Sequence, residues 1–157
     1  MTAQTGRTVP KFQSFSITDS GGTLRTITGF TSISGTGLDY EDMDVTALAD
    51  AIKNSLPGQP DITLTVNGRF DTTALTGFHT VFSALPGVMT VKSFDLKIGM
   101  RQAWEEGEPQ FGMTSSSGTN SGVWVKSYTK ADNGIDATAV LRVMGPVAPA
   151  WGTVAEA

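Results

Sequence analysis

Cysteine is absent from all 157 residues. This removes disulfides, thiol nucleophiles and thiolate metal sites together, and it leaves the redox compartment open. A small core in need of reinforcement then has to find it in a partner chain. Histidine is nearly absent too. His79 is the only one, and a Ser-His-Asp hydrolase would have to be built on it, yet it stands in "GFHTVF" with no nucleophile motif nearby. It reads as a helix-surface or interface histidine. Charge is sparse: 11 basic residues face 15 acidic ones, the net charge is -4, and no basic cluster exists. Tight binding of nucleic acid through phosphate neutralisation is therefore disfavoured. Long apolar runs are missing as well. The start "MTAQTGRTVPKFQ" lacks the apolar core of a signal peptide, and no later segment offers the roughly 18 apolar residues of a membrane span. The expectation is a protein made and kept in a cytoplasm without membrane insertion. Phosphate-binding glycine loops, dinucleotide fingerprints and zinc spacings are not found.

What is present in quantity is glycine, serine and threonine, with charged residues at only 17%. That balance suits an all-β chain with many turns, and the length fits a single domain over 1–157. Residues 1–13 read as an irregular extended arm around Pro10. "FSITDSGGTLRTITGF" places two β-branched runs around Asp19-Ser20-Gly21-Gly22, a hairpin. Residues 34–46, "SGTGLDYEDMD" and its continuation, read as a long loop with room for one short strand. "DVTALADAIKNSLPG" sets Val45, Leu48, Ile52 and Leu56 at near-helical spacing, with Asp44 as N-cap and Pro57-Gly58 as the stop, so a short amphipathic helix is expected.

"DITLTVNGRF" then alternates Ile62, Leu64, Val66 and Phe70 against Thr63, Thr65, Asn67 and Arg69, the period-two pattern of a half-buried strand. A second helix is expected over 72–85, with Leu75, Phe78, Phe82 and Leu85 as its stripe, either Asp71 or Thr72 as cap, and Pro86-Gly87 as stop. "VKSFDLKIGMR" alternates again, with Phe94, Leu96, Ile98 and Met100 on one side. Residues 103–122 form a long polar connection rich in Ser and Gly. "VWVKSYTK" and "IDATAVLRVMG" are strands joined at Asn133-Gly134, and "PVAPAWGTV" is a proline-punctuated tail able to add an edge strand. The two helix-"LPG"-strand units are too short a likeness to count as an internal repeat.

Candidate chemistry is thin. "DYEDMD" is the densest carboxylate group but lacks the spacing and central glycine of an EF-hand, so a solvated acidic segment is preferred to a calcium site. Glu105, Glu106 and Glu108 in "WEEGEP" could serve glycoside cleavage only if two carboxylates were held apart across a sugar, and a Gly/Pro loop holds them poorly. Trp104, Trp124 and Trp151 suit packing better than a sugar platform. No catalytic residue, cofactor or metal is assigned, and the chain is read as a non-enzyme.

The ordered motifs nonetheless carry a resemblance. "DMDVTALADAIKNSLPGQPDITLTVNGRFD", with Asp44-Val45-Thr46, Leu56-Pro57-Gly58 and Ile62 to Asp71, resembles the tail tube (major tail) proteins of long non-contractile-tailed bacteriophages. The helix at 72–85, the Asn-Gly hairpin and "VLRVMGPVAPAWGTV" match in the same order, so the likeness runs from Phe15 onward. It implies a mainly β fold, an antiparallel β-sandwich or barrel with one or two short packed α-helices. It also implies a structural virion protein whose hexameric rings stack into the tail tube, assembled in the bacterial host cytoplasm. Tape-measure, tail-terminator and tail-tip proteins are the partners it implies, with DNA crossing the lumen without sequence-specific binding.

The residue pattern agrees with that likeness, because sheet edges given to identical neighbours close a ring and an acidic wall lets DNA slide. The lumen-facing candidates are Thr63, Thr65, Asn67, Arg69, Asp95, Lys97 and Arg101. Candidates for contacts between subunits and rings are Asp39, Glu41, Asp42, Asp44, Glu105, Glu106 and Glu108, on the two long loops. The reading from another class is a carbohydrate-binding or adhesin-like β-sandwich that stacks sugars on Trp104, Trp124 and Tyr128.

Overall fold

The computed structural model describes residues 3–100, 102–113, 121–145 and 147–155. Its strands are β1 (Gln13–Thr18), β2 (Leu24–Thr26), β3 (Phe30–Ser34), β4 (Asp39–Asp44), β5 (Ser55–Asp61), β6 (Thr63–Arg69), β7 (Phe94–Ile98), β8 (Pro109–Met113), β9 (Gly122–Lys130), β10 (Asp136–Met144) and β11 (Ala150–Thr153). One α-helix, α1 (Phe78–Phe82), lies between β6 and β7. The strands pair antiparallel in three sheets: β11-β8-β7-β1-β2, β3-β6-β10-β9, and the separate pair β4-β5. The fold is mainly β and sandwich-like, with no sheet closed into a barrel among the described residues.

The core follows from alternation. Phe15, Ile17, Phe94, Leu96, Phe111 and Met113 come from the five-stranded sheet, and Leu64, Val66, Val125, Ala139 and Leu141 from the four-stranded one; all join one buried cluster. Each sheet thus turns one face to the other and leaves the second outward. Phe78, Val81, Phe82 and Leu85 plug this layer from the side, and Phe15 stacks on both Phe82 and Phe94 at 6.4 and 6.1 Å. Burial of such side chains contributes roughly 1.5–3 kcal/mol each. Gly68 is what lets α1 close on β6: a Cβ there would lie 2.5 Å from the Phe78 ring and 2.8 Å from the Gly29 carbonyl oxygen.

The hairpins at 19–22 and 133–134 and the strands at 63–69 and 94–98 stand as expected, and the tail adds an edge strand, β11. The helix expected over 45–56 does not form. Asp44 pairs with Ser55, Met43 with Leu56 and Asp42 with Pro57, so the chain runs out and back as a hairpin. A twelve-residue helix would set its ends roughly 17 Å apart, whereas paired strands hold them at about 5 Å. "LPG" is accordingly no helix stop but part of β5, where Pro57 and Pro60 are tolerated because β5 ends in a two-stranded sheet.

The second helix is shorter than 72–85. Asp71 Oδ1 accepts the Thr73 N–H at 2.8 Å and the Thr73 hydroxyl at 2.6 Å, Leu75 takes a left-handed φ of 69°, and the helix begins only at Phe78. Leu75 leaves the stripe and is 59% exposed. The segment 34–46 holds the one short strand it had room for, at Asp39–Asp44, while 103–122, expected as a connection, contains β8; residues 114–120 lie outside the described part. The N-terminal arm is not loose: the Gln4 N–H donates to Glu108 Oε1 at 2.9 Å, and the Thr8 hydroxyl to the Gly99 carbonyl at 2.7 Å.

Candidate assembly surfaces

The β4-β5 hairpin pairs with neither large sheet and projects from the N-terminal end of β6 as an arm. Tyr40, Met43, Val45, Leu48, Ile52 and Leu56 on it are 51, 51, 47, 107, 74 and 57% exposed. Side chains of this size left free at roughly 100 Å² each approach the 800 Å² or so that one partner gives to a standard interface. The arm is also the acidic part of the molecule. Of 15 carboxylates and 11 basic residues, Asp39, Glu41, Asp42, Asp44, Asp50, Asp61 and Lys53 lie here, which leaves nine against ten elsewhere. The tip is internally tied: Asp44 Oδ1 accepts the Thr46 N–H at 2.9 Å, and Asp50 Oδ2 accepts from Ala47 N at 2.7 Å and Asn54 Nδ2 at 3.0 Å. The hydrogen bonds from Thr46 hold the Asp44 carboxyl below the usual carboxylate range, and those from Ala47 and Asn54 do the same for Asp50. The contact candidates Asp39, Glu41, Asp42 and Asp44 are therefore all on one exposed element.

The second surface is the outward face of the four-stranded sheet. Register places Thr63 beside Arg142, Thr65 beside Val140, Asn67 beside Thr138 and Arg69 beside Asp136, with Ser32 and Ser34 flanking Asn67 and Thr65 on β3. Thr138 donates to Asn67 Oδ1 at 3.0 Å and Asn67 Nδ2 to Ser32 at 3.4 Å. Arg69 forms an ion pair with Asp136, which also receives Asn133 Nδ2 at 2.8 Å. That amide donor, with the Arg69 charge and hydrogen bond, lowers the Asp136 carboxyl. Arg142 lies 4.0 Å from Asp61. The face is hydroxyl- and amide-rich with its charges largely paired. The acidity expected of such a wall sits on the arm instead.

The seven lumen candidates do not share a surface. Thr63, Thr65, Asn67 and Arg69 occupy this face, but Asp95 and Lys97 alternate with buried Phe94 and Leu96 on β7 and point outward from the other sheet. The two outer faces of a sandwich look in opposite directions. Arg101 lies outside the described residues. Glu105 and Glu108, expected at subunit contacts, are buried in the chain's own fold at 8 and 1% exposure. Glu108 Oε2 accepts the Glu105 N–H at 3.0 Å, while its other oxygen takes Gln4. Backbone bonds Val154 N–H to Glu108 carbonyl (2.8 Å) and Gly107 N–H to Val154 carbonyl (2.9 Å) bind the C-terminal segment to the same loop. Only Glu106 of the three is exposed. Nothing in a single charged loop signals burial of two of its carboxylates; the clasp is closed by Gln4, 104 positions from Glu108, and by Val154 near the other end of the chain.

Sheet edges complete the geometry. Along β9, Val123 exchanges backbone bonds with Lys92 (2.7 and 2.9 Å), and Gly87 N–H donates to the Val125 carbonyl at 3.1 Å, so the first half of that edge is covered by its own chain. β2 is only three residues long and holds Arg25, β11 follows Pro149, and β5 contains two prolines. These are ordinary protections of edge strands. The outer edge of β3, Thr31 to Ser34, has neither charge nor proline and no backbone partner among the described residues.

The sugar-stacking trio is scattered. Trp104 sits under Lys97, whose Nζ is 3.9 Å from its ring centroid. Trp124 opposes Arg142 on the outward face, and Tyr128 opposes Ala139 on the inward one. Tyr128 packs beside Phe78 and Phe82, its hydroxyl 3.1 Å from His79 Nδ1, and burial pushes its phenol up. His79 is held by that contact and by Phe70 at 4.5 Å, a packing role. Among the described residues no group of three or more His, Cys, Asp or Glu could hold a metal, and no helix is long and apolar enough to cross a membrane.

No protein-family model and no curated protein sequence matches this chain. Several solved structures share its fold, among them the following three. The sheath/tube terminator of an extracellular contractile injection system, PVC, in the extended state aligns with a TM-score of 0.64 at 14% identity, over 95% of this chain and 99% of that one. A chain of the PVC sheath-tube complex in the extended state aligns at 0.58 and 15%, over 89% and 88%. A chain of the six-fold symmetrised baseplate of the anti-feeding prophage (AFP) aligns at 0.62 and 11%, over 96% and 97%. At these identities the likeness is one of fold. These three come from a contractile injection system and the AFP baseplate, and they do not support the expected likeness to the non-contractile tail tube family.

Proposed function

We propose that this chain is a structural, non-catalytic subunit of a phage-tail-like tube, self-assembling into hexameric rings that stack head to tail. The observation that carries the reading is the arm: a projecting hairpin with a row of exposed apolar residues, on a fold shared with components of tail-like injection machines. A free monomer gains nothing from such a surface, and a heterologous contact from one end of a subunit to another copy propagates into rings and stacks. The bare β3 edge offers lateral strand pairing to a neighbour, whose β9 can answer only beyond Val125.

In this reading the outward face of the four-stranded sheet, with Thr63, Thr65, Asn67 and Arg69, lines the lumen, and Asp95 and Lys97 lie on the outside. Its paired charges and hydroxyls give DNA no run of free cations to grip, which suits passage without sequence-specific binding. Tape-measure, terminator and tip proteins are the implied partners, with assembly in the host cytoplasm and residence in a virion tail. The fold shared with a sheath/tube terminator favours a second reading, a subunit that forms one ring closing the tube end. Negative-stain microscopy of the purified protein across a concentration series tests both: hollow tubes support the first, single rings the second, and uniform monomers at high concentration refute both.

A further inference from the structure

The outward face of the five-stranded sheet holds a built groove that the tube reading does not use. Register lines up Thr26, Ser16, Asp95, Gly112 and Ala150 in one transverse row across β2, β1, β7, β8 and β11. The next row places Ser14, Lys97, Gln110 and Gly152 side by side. Because Gly112 and Gly152 carry no side chain and Ala150 only a methyl, the rows sink into a groove of about 470 Å³, walled by Thr18, Leu24 and Gln110 with Asp95 in its lining.

Asp95 is poorly served by its own chain. Ser16 and Thr26 hydroxyls lie 3.0 Å apart and form a polar ladder leading to it, but Oδ1 is sealed from solvent and has no hydrogen-bond partner. The nearest cation on its strand, Lys97, rests its Nζ on the Trp104 ring at 3.9 Å. Burial accordingly pushes the Asp95 carboxyl above the usual carboxylate range, against the opposing pull of the Lys97 charge and the Ser16 hydroxyl. A half-buried carboxylate with an unpaired oxygen costs stability. Such local inconsistencies are characteristic of sites that serve a function.

We propose that this groove docks a lysine or arginine side chain of a partner protein other than a second copy, with the alkyl stem on Gly112 and Gly152 and the cationic head on Asp95. The terminal torsion of aspartate is soft and roughly two-fold, so the carboxylate can turn to bring an oxygen to an incoming donor. A narrow floor free of side chains suits an extended aliphatic stem, and the carboxylate supplies charge complementarity. The most prominent free surface of a second copy is its arm, which brings six carboxylates and is repelled by Asp95. The arm contact proposed between copies therefore does not fill this groove, and we assign the groove to a foreign chain.

The test is an NMR titration of the isotopically labelled protein, at a concentration where it is monomeric, with N-acetyl-arginine amide and, as the neutral isostere, N-acetyl-citrulline amide. Saturable shifts of the Gly112 and Gly152 amides with the arginine probe are expected, at least tenfold weaker with citrulline and in Asp95→Asn, whose melting temperature stays level or rises. Equal binding of the two probes, no shift at either glycine, or undiminished binding in Asp95→Asn overturns the proposal. A melting point lowered by several degrees in Asp95→Asn would make Asp95 a structural residue and overturn it too. If wild-type self-association is lost in that variant, the occupant is a second copy and the choice of a foreign chain is wrong. Because the probes read the monomer, failure here leaves the tube reading standing.

Discussion

The double substitution Leu48→Asp, Ile52→Asp separates assembly from folding. In the free subunit Leu48 is 107% exposed and Ile52 74%, so neither contributes packing to the monomer, and both are available to be covered. Burying a leucine or isoleucine stabilises by roughly 1.5–3 kcal/mol, and the two together represent about 3–6 kcal/mol of contact. At 1.4 kcal/mol per tenfold, their loss should raise the concentration needed for assembly by roughly 10² to 10⁴. Two further carboxylates on an arm that already holds six add repulsion in the same direction. Folding stability should change by no more than about 0.5 kcal/mol, as for other exposed positions, which is a shift of about 2 °C in a chain of this size. Sedimentation velocity against concentration reads the first quantity, and thermal unfolding of the dilute protein the second. Assembly at wild-type concentrations would refute the arm as the contact. A drop in melting temperature of 5 °C or more would show that the tip packs into its own subunit, and the reasoning from exposure would fail.

Three further outcomes follow from the interior and the turns. Glu108→Ala leaves the Gln4 and Glu105 N–H groups without their acceptor, and at about 1–3 kcal/mol per stranded donor calorimetry should show a loss of roughly 2–6 kcal/mol; a neutral result would show that the two bonds contribute no net stability. Gly68→Ala forces a methyl against the Phe78 ring and the Gly29 carbonyl, and urea unfolding should register at least about 1–3 kcal/mol, unless α1 can retreat from β6. For pH, the Asp71 carboxyl is held below its usual range by the Thr73 hydroxyl and N–H and by Thr28, and Asp136 by Asn133 and Arg69. A folded-state value below the unfolded one gives stability that is present above the ordinary carboxylate range and lost as pH falls through the lowered values. Asp95 has the opposite sign, so its contribution is unfavourable at neutral pH and vanishes on acidification. Carboxyl NMR titrations should order Asp71 and Asp136 below the unfolded reference and Asp95 above it; the reverse order for Asp95 would remove the argument from burial.

Much of the fold is legible in short windows. The alternation in "DITLTVNGRF" and "SFDLKI" specifies which residues of β6 and β7 are buried, because side-chain direction in a strand depends only on parity. The turns at Asp19-Gly22 and Asn133-Gly134 are equally local, resting on glycine's access to positive φ. The helix expected over 45–56 failed for a reason no window contains. Its apolar stripe is real, but helical stability comes chiefly from burying such a stripe against another element, and the register of Asp39–Asp44 with Ser55–Asp61 leaves the stripe at the tip of an arm with nothing beneath it. The same residues that misled as a core-facing helix are those that mark the arm as a candidate contact.

Sequence by itself determined the mainly β class, the thinness of any catalytic chemistry, and which residues of each strand alternate. It did so because composition, turn chemistry and period are properties of neighbouring residues. Only the tertiary structure decided that Thr63 to Arg69 and Asp95 to Lys97 face opposite ways, that Glu105 and Glu108 are interior, and that the carboxylates of Asp39 to Asp44 stand on a free arm. Those outcomes depend on which strand lies beside which, and pairing is settled by contacts between residues far apart in the chain.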